Sequence, residues 1–361
     1  MDKREQEKYA EQILRLMQLI VFLVFVIIGV GIWLVGSYQH QNDPATLLQS
    51  TIEPDSNGLF TEAAREAYRL KLADSVKYWQ APEQVPDNLK SQINYGKELI
   101  IHTSHYFGPR GRIKPNATNG MDCQNCHLEA GTKTFGNNYA SVYATYPKYR
   151  ARSGSIENIY KRVNDCFERS LNGATLDTTS REMQAIKAYI NWLGSNVKKG
   201  QKAKGAGLRV PKFLNRAADT LLGRKVYVAK CQSCHQADGQ GKMDTEDVSF
   251  IYPPLWGSRS FNSGAGLYRL SNLAAFAHDN MPQGVSFKQT QLSDEDAWDV
   301  AAFINSKPRP TKDISKDWPK LHEKPFDHPF GPYKDGFSEL QHKYGPFQPI
   351  KEKWMELKKT S

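Results

Sequence analysis

Residues 1–18 are mostly polar and mixed in charge, and an unbroken apolar run then extends from Leu19 to Gly36. With Ile13, Leu14, Leu16 and Met17 before it, the span reaches the roughly 20 residues that cross a bilayer. The pattern predicts a short N-terminus over 1–12 and one transmembrane helix over 13–36. Lys3, Arg4, Lys8 and Arg15 precede the run, whereas Ser37 to Ser56 contains no Lys or Arg, so the N-terminus is expected in the cytoplasm and the remainder across the membrane. A cleaved signal peptide competes with this reading, but the run exceeds a usual signal core and no A-x-A site follows, so a retained anchor is expected.

Beyond the anchor, helical periodicity comes and goes. Residues 37–85 read as a tether with one helical piece, Thr61 to Trp79. Leu89 to Ile101 is helical, as are two later stretches opened by capping patterns: Thr179-x-x-Glu182 before Met183 to Asn191, and Ser293-x-x-Asp296 before Trp298 to Asn305. Ser155 is placed to cap a further helix whose Ile156, Ile159, Tyr160, Val163, Phe167 and Leu171 share one face at about 100° per residue. Gly194 to Gly207, with Lys198, Lys199, Lys202 and Lys204, reads as an exposed linker, with a basic docking patch as the sharper alternative. After Pro308 the chain is rich in Pro, Phe, Tyr and Lys and shows no helical period until Lys351 to Lys359. An extended arm is expected there, lying over the domains because its aromatics need cover.

Two short motifs turn this pattern into chemistry. Cys123-Gln124-Asn125-Cys126-His127 and Cys231-Gln232-Ser233-Cys234-His235 are both CxxCH, the attachment signature of a c-type haem. The cysteines would form thioethers to the haem, and His127 and His235 would be the proximal iron ligands. A redox dithiol or half a zinc site explains one such motif poorly and two hardly at all. The repeats also match around the motif, since Gly96-Lys97-Glu98-Leu99 precedes the first and Gly223-Arg224-Lys225-Val226 the second. The expected fold is therefore all-α: two cytochrome c-like domains in tandem, 86–196 and 211–308, joined by a linker over 197–210. The transmembrane helix precedes them and an extended arm, 309–361, follows. Two covalently bound haem c groups are the expected cofactors.

Charge and cysteine usage narrow the picture. The formal net charge is +10, which suits an anionic substrate, an acidic partner protein or a membrane surface. Nucleic acid is excluded as a partner, because an exported haem protein meets none. Four of the five cysteines belong to the haem motifs, leaving Cys166 alone in an oxidising compartment. Arg162 and Arg169 stand four before and three after it, with Ser170 one turn on, so the sulfur would face the first haem in a guanidinium-lined recess. Arginine neighbours favour the thiolate, which would ligate iron and keep that haem at low potential, although burial pushes the other way. A buried, inert cysteine is the plain alternative. At the second haem Met281, in Asn280-Met281-Pro282, is the expected sixth ligand, with core packing as its alternative and Met243 and His278 as weaker competitors. The carbonyls of Pro253 and Pro254 are placed to hold His235 by its other ring nitrogen. This haem reads as the electron exit.

Tyr149-Arg150-Ala151-Arg152, then Arg162-x-x-x-Cys166-Phe167-Glu168-Arg169-Ser170, set between the first CxxCH and a second haem with Asn280-Met281-Pro282, resembles the periplasmic dihaem thiosulfate dehydrogenases. Gly331-Pro332-Tyr333 and Tyr344-Gly345-Pro346-Phe347 extend the likeness into the tail. The resemblance implies reversible joining of two thiosulfates to tetrathionate, releasing two electrons, at a His/Cys haem in the periplasm of a bacterium, here tethered to the inner membrane. It implies Cys166 as the distal ligand, Arg152 and Arg162 as substrate-holding residues and Ser170 as a minor polar contact. Some relatives place a lysine before the methionine, where this chain has Asn280. Plain His235/Met281 ligation follows, with a bias toward tetrathionate reduction as an open alternative.

Simple electrostatics points the same way. Two dianions at ~4 Å repel by about 16 kcal/mol even at an effective dielectric near 20, so several fixed cations are required. Arginine suits the task because its planar fork binds two oxygens at once. Electrons are expected to leave to a small cytochrome c, a membrane oxidase or a quinone-linked complex. Two other functions stay open on sequence: a non-catalytic dihaem carrier with a structural Cys166, and a cysteine-ligated cytochrome that transfers thiosulfate without net electron flow. A haem peroxidase is disfavoured for want of a distal acid and base.

Overall fold

The spacing of small and apolar residues in the helices before and after each CxxCH decides how they meet. In the computed structural model, which describes residues 77–246 and 248–359 together with Leu23, Val26, Gly29 and Val30, the chain divides into two compact units, Met1–Lys77 and Tyr78–Ser361. In the first, Leu23, Val26, Gly29 and Val30 are helical, and the three larger side chains are exposed. The rest of the expected anchor, and the expected helix from Thr61 as far as residue 76, lie outside the described residues; Lys77 to Trp79 is not helical. Among the described residues no helix is long and apolar enough to cross a membrane.

The second unit opens with α1 (Lys90–Ile101), which buries Ile93, Gly96, Leu99 and Ile100. After the first CxxCH come a small antiparallel hairpin of β1 (Lys148–Arg150) and β2 (Ser155–Glu157), paired Lys148 to Glu157 and Arg150 to Ser155, then α2 (Ile159–Arg169) and α3 (Arg181–Leu193). α3 packs across α1 at Gly96, where a Cβ would lie 2.0 Å from the Ala185 carbonyl oxygen; only a glycine lets the backbones approach this closely. The second repeat uses the same device. α4 (Thr220–Lys230) precedes the second CxxCH; β3 (Lys242–Met243) and β4 (Phe250–Tyr252), α5 (Leu270–Asn280) and α6 (Asp294–Asn305) follow it. A Cβ on Gly223 of α4 would lie 1.8 Å from the Asp299 carbonyl oxygen of α6. The two glycines that marked the repeats are thus the two helix crossings.

Two cores result. Ile93, Leu99, Phe107, Phe167, Met183 and Tyr189 centre the first, and Tyr227, Leu273, Trp298, Phe303 and Ile304 the second. The domains meet along a polar seam. The Asn262 side chain donates to the Glu168 carbonyl (2.8 Å) and to the Asn172 side-chain oxygen (2.9 Å), Lys133 Nζ donates to the Val285 carbonyl (2.9 Å), and Asn280 Nδ2 donates to the Phe135 carbonyl (3.2 Å).

Four details depart from the expected elements. Ser155 to Glu157 is a strand, with Ile156 75% exposed, and Asn158 caps α2 instead, accepting from the Lys161 amide at 2.9 Å. The sheet content, though small, qualifies the all-α expectation. Ser180 rather than Thr179 caps α3, while the Ser293–Asp296 capping box is present as read. The arm is not simply extended, since α7 (Glu339–Tyr344) and α8 (Phe347–Lys359) form in it. Pro349 obscures α8, yet it falls in the first turn, where a missing N–H is harmless, and Phe347, Ile350 and Trp354 follow at helical spacing. Phe347 and Ile350 complete the second core.

Candidate haem centres and sulfur site

The second CxxCH begins where α4 has just ended, whereas a short helix, Thr103–Phe107, and a loop separate α1 from the first. Asp122 caps the turn at Cys123, and its Oδ1 accepts from the Ser104 amide and hydroxyl at 2.7 and 2.8 Å. Burial pushes this carboxyl up, against the Ser104 bonds. His127 donates Nδ1–H to the Asn137 carbonyl at 2.6 Å, which leaves Nε2 free for iron, and Tyr139 stacks on the ring at 4.5 Å. In the second domain His235 makes the equivalent bond to the Pro253 carbonyl at 2.8 Å, and burial lowers its basicity so that the neutral, ligating form prevails.

The cleft in the first domain is lined by Cys123, Cys126, His127, Arg162, Cys166 and Ser170, among others. Cys166 faces His127 closely enough to interact with it, and Arg162 Nη1 lies 3.4 Å from its sulfur. Burial pushes the Cys166 thiol up, but Arg162 and His127 outweigh it and bring it down to about 7. Burial takes Cys123 and Cys126 the other way, up to about 12. The thiolate in turn holds Arg162 above its usual range. Of the three sulfurs in this cleft, only Cys166 is poised as an anion. These residues fit a c-type haem: two cysteines and a histidine with a free Nε2 on one side, and an anionic sulfur opposite.

The structure does not gather every expected residue. Arg169 turns away from Cys166, donating to both oxygens of Asp317 at 2.7 and 2.8 Å, so the recess expected to hold two arginines beside the sulfur has only Arg162 in contact with it. At i+3 Arg169 sits where α2 meets the arm, and the half-buried carboxylate of Asp317 there outcompetes the thiolate. Arg152 is not among the cleft residues either. It sits at the seam, with Nη1 3.3 Å from the Gly264 carbonyl and Nε 4.0 Å from Asp317. Near the second haem, Met281 directly follows α5 and is partly buried. Its competitors are committed elsewhere: His278 to Asp279 (2.7 Å) and Asp294 (3.5 Å), and Met243 to the first core. Asn137, Tyr139, Asp317 and Trp318 were not foreseen. Asn137 acts through a backbone carbonyl, which no side-chain pattern announces, and the arm residues lie about 150 positions from α2.

Two CxxCH motifs, each with its histidine held through Nδ1 by a backbone carbonyl, and paired helix crossings define a dihaem c-type cytochrome. Residues 113–198 match a sequence profile described as SoxA/TsdA, cytochrome c domain, and residues 221–308 one described as Cytochrome c. A thiosulfate dehydrogenase of Psychrobacter arcticus is 38% identical over 235 residues, covering 64% of this chain and 68% of that protein. One from Allochromatium vinosum is 40% identical over 219 residues, covering 59% and 79%. This chain belongs to the thiosulfate dehydrogenase family, and it carries two c-type haems. Among solved structures, the thiosulfate dehydrogenase TsdBA of Marichromatium purpuratum, in its as-isolated form, superposes with a TM-score of 0.59 at 28% identity. The match covers 65% of this chain and 50% of that one.

Proposed function

We propose that this chain is a membrane-anchored periplasmic enzyme that interconverts thiosulfate and tetrathionate at the first haem and passes electrons out through the second. It is an oxidoreductase acting on thiosulfate, as its relatives' names describe them. The observation that carries the site assignment is Cys166, which opposes His127 across the first cleft with Arg162 at its sulfur. Each haem, when bound, takes up or gives up one electron at a time.

The protein's own residues account for the sulfur chemistry. In the reducing direction the Cys166 thiolate attacks a sulfane sulfur of tetrathionate. The central S–S bond breaks, one thiosulfate leaves with its electron pair, and a thiosulfonate remains on the cysteine. Two electrons then break the Cys166–sulfur bond, restoring the thiolate and releasing the second thiosulfate. The oxidation of two thiosulfates runs the same steps backwards, and no proton is gained or lost in either direction. Arg162 offsets the dianion's charge beside the sulfur, Ser170 offers a hydroxyl, and Arg152 adds a second guanidinium from the seam. For the second haem the reading is His235/Met281 ligation. Asn280 supports it, because its amide is engaged by the Phe135 and Phe276 carbonyls.

Anaerobic assays with purified protein test the proposal. Thiosulfate with an oxidising dye should yield tetrathionate, and tetrathionate with a reduced dye should yield thiosulfate. Electron uptake without turnover of either compound would identify a carrier instead, and sulfur transfer to an acceptor thiol without dye reduction would identify a transferase.

A further inference from the structure

The arm meets the first domain through a short run of residues that all close on one loop. Asp317 takes both ends of the Arg169 guanidinium and lies 4.0 Å from Nε of Arg152. Trp318 donates its backbone N–H to the Arg152 carbonyl at 2.7 Å and places its indole 5.2 Å from the Arg152 guanidinium. Trp318 is 5% exposed, backed by the His328 ring at 4.1 Å, and adopts φ 54°. A bulky residue holds such a backbone only where its surroundings enforce it. Pro319 then fills the space over Gly154, whose Cβ, if present, would lie 2.5 Å from the ring, and Glu323 accepts from the Tyr149 hydroxyl at 2.6 Å.

The loop so held is the one that carries Arg152. Burial and the Arg169 charge act against Arg152, lowering it to about 10, and Arg162 adds to that repulsion. Left to themselves, three guanidiniums in one neighbourhood would splay. Arg162 engages the Cys166 sulfur and Arg169 is taken up by Asp317, so Arg152 is the one whose direction remains to be fixed.

We infer that Asp317 and Trp318 are positioning residues for Arg152, holding its guanidinium at the mouth of the sulfur site so that it meets the second sulfur oxyanion. This rests on the reading that the Cys166 cleft binds thiosulfate. It also carries a sign that distinguishes it from plain electrostatics. Removing the Asp317 charge makes the site more positive, which alone would tighten an anion. Loss of positioning predicts the reverse.

The test uses the full-length haem-loaded protein and measures steady-state thiosulfate oxidation. Asp317→Asn and Trp318→Ala should each raise KM for thiosulfate on the order of tenfold, with kcat changed far less and haem absorption spectra unaltered. Trp318→Phe, which keeps a ring over Arg152, and Asp317→Glu, which keeps the charge, should restore most of the affinity. A lower or unchanged KM in Asp317→Asn would overturn the inference, and so would equal losses in Trp318→Ala and Trp318→Phe. Arg162→Ala separates the two levels. If it raises KM while the arm variants do not, the positioning role alone falls; if it leaves KM untouched, the site reading falls and the inference with it.

Discussion

A thiol buried in an apolar cleft should be harder to ionise than one in water, and Cys123 and Cys126 follow that rule. Cys166 breaks it because a guanidinium stands at hydrogen-bond distance from its sulfur and an imidazole faces it. On the proposed mechanism Cys166 is both nucleophile and iron ligand, so it would have to leave the iron while holding negative charge, and Arg162 is placed to offset that charge. Replacing Cys166 with Met keeps a sulfur ligand but removes the nucleophile. Turnover with tetrathionate should fall by about a hundredfold or more, measured as oxidation of a reduced dye, while the absorption of the second haem is unchanged. Near-normal turnover would remove the cysteine from the mechanism. At this scale the sequence was informative about identity and less so about direction. The i−4 and i+3 arginines looked equivalent, yet only Arg162 reaches the sulfur, because Arg169 found a carboxylate in the arm.

Each domain is built on one helix crossing, and both crossings turn on the absence of a side chain. Gly96 against Ala185 and Gly223 against Asp299 leave no room for a methyl group. Gly96→Ala and Gly223→Ala should each destabilise by about 1–3 kcal/mol or more through overpacking, seen as a lower midpoint in chemical denaturation of the haem-loaded protein. A neutral effect would mean the helices can separate without penalty. The same elements show where local patterns mislead. Ile156 sits on the helical face read from sequence but lies in a strand and is exposed, since Asn158 starts the helix three residues later than Ser155 would. Asn and Ser are both good caps, and which of them serves depends on the strand pairing of Lys148–Arg150 with Ser155–Glu157.

The arm joins the two domains and brings buried charge with it. Arg269 pairs with Asp327, which also accepts from Ser271, and Lys324 donates to the Phe330 carbonyl at 2.5 Å. Burial, opposed by its bond with Phe330 and reinforced by Lys324, Arg152 and Arg269, pushes His328 down to about 3. A histidine that is harder to protonate folded than unfolded stabilises the fold fully above its ordinary value near 6.5, and this contribution is lost as pH falls toward 3. Stability should therefore decline below about pH 6.5 by up to ~1.4 kcal/mol per pH unit from this residue, read as urea midpoints at pH 7 and pH 5. His328→Gln should flatten that slope, and an unchanged slope would place the acid sensitivity elsewhere.

Sequence alone determined the cofactor chemistry and the repeat. CxxCH, the glycines before it and the Ser293–Asp296 capping box are local signals, each decided within a few residues by covalent attachment or backbone hydrogen bonding. It also singled out Cys166 and Arg162, because a single helical turn brings them together. Tertiary structure decided what lies across the chain. It chose between Arg162 and Arg169, put Tyr139 and the Asn137 carbonyl on His127, and brought Asp317 and Trp318 to Arg152. Such pairings depend on which distant charge or ring arrives at a given side chain, and that is set by how two cores and an arm pack together.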